Sequence, residues 1–89
     1  MNTRIPTTVD FENALKQILK TAQGLELTKV DVKSGELHRR VGGYPSYNHR
    51  MPLCCTAMRA AMRPGDEVLA APPRGAGATL VIRYRLPRH

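Results

Sequence analysis

Four side chains near the middle of the chain have the types needed for metal or thiol chemistry: His38, His49, Cys54 and Cys55. Imidazoles and thiolates are zinc ligands, and a thiolate beside a base is a nucleophile. The spacing argues against both. Structural zinc sites separate paired cysteines by about two to four residues, so that both sulfurs reach one ion. Neighbouring positions on a helix point about 100° apart, at about 3.6 residues per turn, and so the two thiols diverge. His49 falls on the far side of such a helix from Cys55, out of reach as its base. A vicinal thiol pair for redox sensing has no supporting partner in the sequence. The cysteines read as small core hydrophobes. Elsewhere, Asp66 and Glu67 stand in a turn with no further ligands, as strand-start polar residues. "RGAGAT" lacks the lysine of a phosphate-binding loop and precedes a strand rather than a helix. No catalytic residue, metal or cofactor is expected.

Charge is the stronger signal. The 89 residues carry a net +7, and its location matters. Residues 1–36 hold five basic and five acidic side chains; residues 37–89 hold nine arginines against Asp66 and Glu67. Every basic residue after Lys33 is arginine, whose planar fork suits phosphates and guanine edges. A segregated arginine excess points to a polyanion, most economically nucleic acid. A basic surface kept for solubility is the bland alternative, but solubility does not require segregation. No apolar run has the length of a membrane span, and the first ten residues lack the apolar middle of a signal peptide. Two adjacent cysteines with no distant partner suit a reducing cytoplasm.

The elements that position these residues follow from periodicity. A leader over residues 1–7 precedes one domain over residues 8–87, with a tail at 88–89. Thr7 and Asp10 form a capping-box pattern, and Phe11, Leu15, Ile18 and Ala22 recur at helical spacing up to a stop at Gly24. "LELTKV" is a short extended piece. A second helix spans residues 34–41, with Asp31 or Ser34 as its cap, Leu37 and Val41 inward and Gly42 as its stop. "GYPSY" is turn chemistry. A third helix over residues 48–63 takes Asn48 as cap, which puts Pro52 at the fourth helical position, where its missing N–H costs nothing. Met51, Cys55, Met58 and Met62 form its inner stripe, widened by Cys54 and Ala61. His49, Leu53, Thr56, Ala60 and Arg63 face outward. Finally "EVLAA" and the alternating "LVIRYRL" make a hairpin whose loop, "PPRGAG", carries two prolines and behaves as a flap.

Helix, extended piece, helix, turn, helix and a hairpin with a Gly/Pro-rich tip: this order, over almost the whole chain, resembles the winged helix-turn-helix family. The resemblance implies an α+β fold, a small three-helix domain with a C-terminal two-stranded wing. It also implies that the third helix enters the DNA major groove, with the second above the backbone and the wing against an adjacent groove. Carried over, His49, Arg50, Leu53 and Thr56 are the expected base contacts. Arg39, Arg40, Arg63, Arg74, Arg83 and Arg85 are the expected phosphate contacts, with residues 74–77 as the wing tip. The turn "GGYPSYN" is longer than the compact turn of a standard helix-turn-helix. The implied function is duplex DNA binding without chemistry, by a small regulator or accessory factor, with homodimerisation through the first helix. The rival expectation is a protein-interaction module, such as a small phage or mobile-element inhibitor. Winged helices also dock proteins, and fold does not dictate function.

Overall fold

The computed structural model describes residues 5–42, 50–73 and 77–88. Its element order is α1 (Thr8–Gly24), β1 (Lys29–Lys33), α2 (Ser34–Val41), α3 (Met51–Ala60), β2 (Glu67–Ala70) and β3 (Val81–Arg85). The three strands form one antiparallel sheet in the order β1-β3-β2. The hairpin expected from the sequence is therefore two-thirds of a sheet. The extended piece, too short to show a pattern, is its third strand because Val30 and Val32 pair with Tyr84 and Ile82 across β3.

α1 begins as its sequence dictates. The Asp10 amide donates to Thr7 Oγ1 at 3.3 Å and Asp10 Oδ2 accepts from the Thr7 amide at 2.8 Å, closing the capping box. The helix ends at Gly24, but the left-handed turn beyond it falls on Glu26, with φ 61°. α2 has the expected span, but neither Asp31 nor Ser34 caps it. β1 runs on to Lys33, the residue before the helix, and the first free amides find partners in another segment. Ser34 N–H donates to Leu80 O at 2.8 Å and Gly35 N–H to Ala78 O at 3.1 Å. The approach is close enough that a Cβ at Gly35 would lie 3.0 Å from Ala78 O. Gly42 ends α2 with φ 114°, a backbone region that favours glycine.

α3 is shorter than its pattern. Arg50 is the flanking residue, with φ −125° and ψ 53°, so it stands outside the helix rather than in its first turn. Pro52 then falls at the second helical position, still among those whose N–H needs no intrahelical partner. Asn48, the expected cap, lies outside the described residues. The start of α3 is fixed instead by α2: the Arg50 amide donates to His38 Nε2 at 2.8 Å. His38 is fully buried, its ring edge-on to Phe11 at 4.8 Å.

The core lies between the helices and one face of the sheet. Phe11, Leu15, Leu37, Cys54 and Met58 meet Leu80, Ile82 and Tyr84 there, all essentially without solvent contact. The strand alternation is as expected, with Leu80, Ile82, Tyr84 and Leu86 inward. β2 is exposed along its whole length, including Val68 and Leu69. Val68 is paired with Ile82, yet it stays exposed among the described residues.

Candidate nucleic-acid interface

The residues expected to contact DNA fall on three different surfaces. On α3, Met51, Cys54, Cys55, Ala57 and Met58 are buried, which turns Pro52, Thr56, Arg59 and Ala60 outward, with Arg63 just beyond the helix end. Thr56 and Arg63 are exposed as expected. Arg59 belongs to the same face, although the sequence reading does not single it out: its spacing of three from Thr56 and four from Arg63 is the signal that could have found it. Leu53 departs from expectation. It is half-buried and packs on the core, because the stripe of α3 that meets its neighbours is wider than the methionine row suggests. Arg50 is half-buried and outside the helix. His49 lies outside the described residues. No acidic side chain occurs in α3. Towards α1, Ala57, Ala60 and Ala61 form one wall of an apolar furrow of about 190 Å³.

On α2, Arg39 and Arg40 are exposed beside Glu36, opposite the buried Leu37 and His38. Two basic residues in the last turn also complement the helix dipole.

The third surface is the side of the sheet turned away from the helices, with Arg83 and Arg85. Arg83 is committed there to a carboxylate. Its Nε and Nη2 donate to Asp31 at 2.8 and 3.1 Å, and Glu67 is its register partner on the other side. The hydrogen bond from Arg83 holds the Asp31 carboxyl below its ordinary range. An arginine flanked by two carboxylates adds little attraction for phosphate. Arg85 is exposed and its amide donates to Asp66 Oδ1 at 2.7 Å.

The corner that receives this bond has no counterpart in the sequence pattern. Asp66, read in sequence as a strand-start polar residue, has a fully covered side chain. It accepts from Arg63 N–H at 2.8 Å, from Arg85 N–H, and from Arg88 Nη1 at 2.9 Å. Burial pushes its carboxyl up, but the bonds from Arg85, Arg63 and Arg88 outweigh that and hold it below the ordinary 3.8. Arg88, placed in the expected tail, is thus anchored. Its Nη2 also donates to Ala61 O, and its guanidinium lies 5.4 Å from the centre of the Tyr84 ring. Tyr84 in turn donates to Met58 O at 2.8 Å.

The cysteines stand in a second internal network. Cys54 Sγ lies 3.5 Å from Ser34 O, while Cys55 Sγ donates to Gly77 O at 3.3 Å and accepts from the Gly77 amide at 3.4 Å. Ser34 Oγ donates to the same Gly77 carbonyl. Residue 77, expected at the tip of a flap, is therefore clamped to α2 and α3. Arg74 lies outside the described residues. Burial, with a smaller push from Cys55, raises the Cys54 thiol to about 12, which suppresses its thiolate. Among the described residues, no three His, Cys, Asp or Glu side chains are grouped as metal ligands. No helix among them is long and apolar enough to cross a membrane.

No family model, curated protein or solved structure matches the chain.

Proposed function

We infer that the chain binds duplex DNA as a small winged helix-turn-helix protein and performs no chemistry on it. The observation that carries this reading is the outer face of α3, where Thr56, Arg59 and Arg63 follow one another without an acidic side chain. The order α1-β1-α2-α3-β2-β3 supports it, being the order on which the resemblance rests. In this reading α3 lies in the major groove, Arg59 and Arg63 contact phosphates, and Thr56 meets a base edge or a thymine methyl. Arg39, Arg40 and Arg85 add phosphate contacts that fix position without reading sequence. Arg83, bound to Asp31, drops out of the set.

The test is a titration of a labelled random-sequence duplex by fluorescence anisotropy at several salt concentrations. Binding at micromolar or tighter affinity, with a log–log salt slope of about −0.9 per phosphate neutralised, is the expected result. No binding at low salt would overturn the reading.

A protein-docking role is the second reading, and one feature favours it. Among the described residues β2 is an edge of the sheet, with Val68 39% and Leu69 42% exposed, the kind of edge to which a partner strand adds. Leu53→Asp is a poor discriminator between the two, since Leu53 packs on the core. Val68→Lys is the cleaner variant, because it blunts the edge from an exposed position.

A further inference from the structure

α1 carries a second stripe beside its core row of Phe11, Leu15 and Ala22. Val9, Glu12, Lys16 and Leu19 are spaced by three, four and three residues, which puts them on one narrow face of the helix. This is the seam spacing of a paired helix, yet most of it faces solvent. Val9 is 58% exposed, Glu12 and Lys16 are exposed, and Leu19 is half-buried. Glu12, Lys16 and Leu19 also form the α1 rim of the furrow whose other wall is Ala57, Ala60 and Ala61. Methyl groups on that wall leave room for another helix to approach.

The order of the four residues selects the occupant. Two apolar ends flank one acid and one base. A parallel copy of the helix would set Glu12 against Glu12 and Lys16 against Lys16. An antiparallel copy, related by a two-fold axis level with Ala14, sets Glu12 against Lys16 of the second copy and Val9 against its Leu19, each contact occurring twice. The stripe is complementary to itself in one orientation and repulsive in the other. Neither Glu12 nor Lys16 forms an ion pair among the described residues. Within α1 they stand at i and i+4, a weak attraction that a second copy extends to a ring of four alternating charges.

We propose that α1 pairs with α1 of a second copy of this chain, antiparallel, with Val9, Glu12, Lys16 and Leu19 as the seam. The seam is apart from Thr56, Arg59 and Arg63 of α3, and it needs no duplex. Two chains of net +7 repel at long range. At about 0.15 M salt, exposed charges more than about 8 Å apart are largely screened, whereas charges in contact across the seam are not.

Sedimentation equilibrium at that ionic strength, without nucleic acid, is the test. The wild type should show a concentration-dependent monomer–dimer equilibrium. Glu12→Lys makes the middle of the seam wholly basic and Lys16→Glu makes it wholly acidic. The dimer dissociation constant of each variant alone should therefore rise about tenfold or more. Mixed together, the two variants should form a heterodimer about as tight as the wild-type dimer, because every acid again meets a base. A helix that was merely weakened would not be rescued by mixing. Val9→Ala, at an exposed position where alanine favours the helix, should also weaken the dimer several-fold while circular dichroism shows the chain still folded.

A wild type that stays monomeric up to about 1 mM overturns the proposal. So does a dimer that survives both charge changes, or a mixture of folded variants that yields no heterodimer. If a charge variant fails to fold, the wild-type equilibrium and Val9→Ala decide, and a dimer unchanged by Val9→Ala overturns the seam. Duplex binding plays no part in the readout, so the proposed function and the seam fail separately.

Discussion

The arginines at the C-terminal end of the chain and those on the helices carry the same charge and have different uses. Arg83 and Arg88 are each bound to a carboxylate, Asp31 and Asp66, the first pair on the exposed side of the sheet and the second largely out of solvent. Arg39, Arg40 and Arg59 are exposed on outward helix faces. The net charge of the second half therefore overstates what is displayed to a polyanion. Part of it closes the fold. Burial sets Arg88 apart from the others: an ion pair in low dielectric is costly to break, whereas an exposed charge, paired like Arg83 or not, is screened by water and salt.

Breaking the covered pair at Asp66 should have the largest effect. Asp66→Ala leaves Arg88 without its partner and two backbone amides without an acceptor, at a cost of about 3–5 kcal/mol. Denaturant unfolding measures it, and a decrease of less than about 1 kcal/mol would place the pair among ordinary surface ion pairs. The same carboxyl makes stability depend on acid. Its native value lies below the ordinary 3.8, so its contribution is complete above that pH and is lost as the pH falls through the depressed value. Asp66→Asn should flatten that part of the stability–pH curve.

The displayed set should behave in the opposite way. Arg59→Ala with Arg63→Ala should leave the unfolding midpoint nearly in place, since both side chains are exposed. In the duplex titration the salt slope should fall by about 0.9 for each phosphate that the variant no longer neutralises. An unchanged slope would remove the outer face of α3 from the interface.

Two smaller effects sharpen the contrast. Tyr84→Phe keeps the ring beneath Arg88 but leaves Met58 O without its donor, for about 1–2 kcal/mol by thermal unfolding. Asp31→Asn should leave the unfolding midpoint within experimental scatter, because its partner Arg83 is on the exposed side of the sheet. It should also tighten duplex binding slightly, by releasing the Arg83 guanidinium.

Local pattern was enough wherever a residue's partner is near it in sequence. The capping box of Thr7 and Asp10, the inward row of Phe11, Leu15 and Ala22, the span of α2 and the alternation through Ile82 and Tyr84 are all short-range, and all are found in the structure. So is the burial of Cys54 and Cys55, which adjacent helical positions impose once α3 packs by that side. The outward exposure of Thr56 and Arg63 was legible for the same reason.

Tertiary structure decided what depends on partners far along the chain. The amides at the start of α2 are satisfied by the carbonyls of Ala78 and Leu80, and the amide that precedes α3 by the ring of His38. No local cap announces either one. The extended piece becomes a strand only because β3 lies beside it. Asp66 draws in Arg88, and Asp31 takes Arg83. The amino-acid sequence set the number and kind of charges and the helical and strand rhythms. Which charges stay available was settled by folding, because ion pairing depends on distance in space and not along the chain.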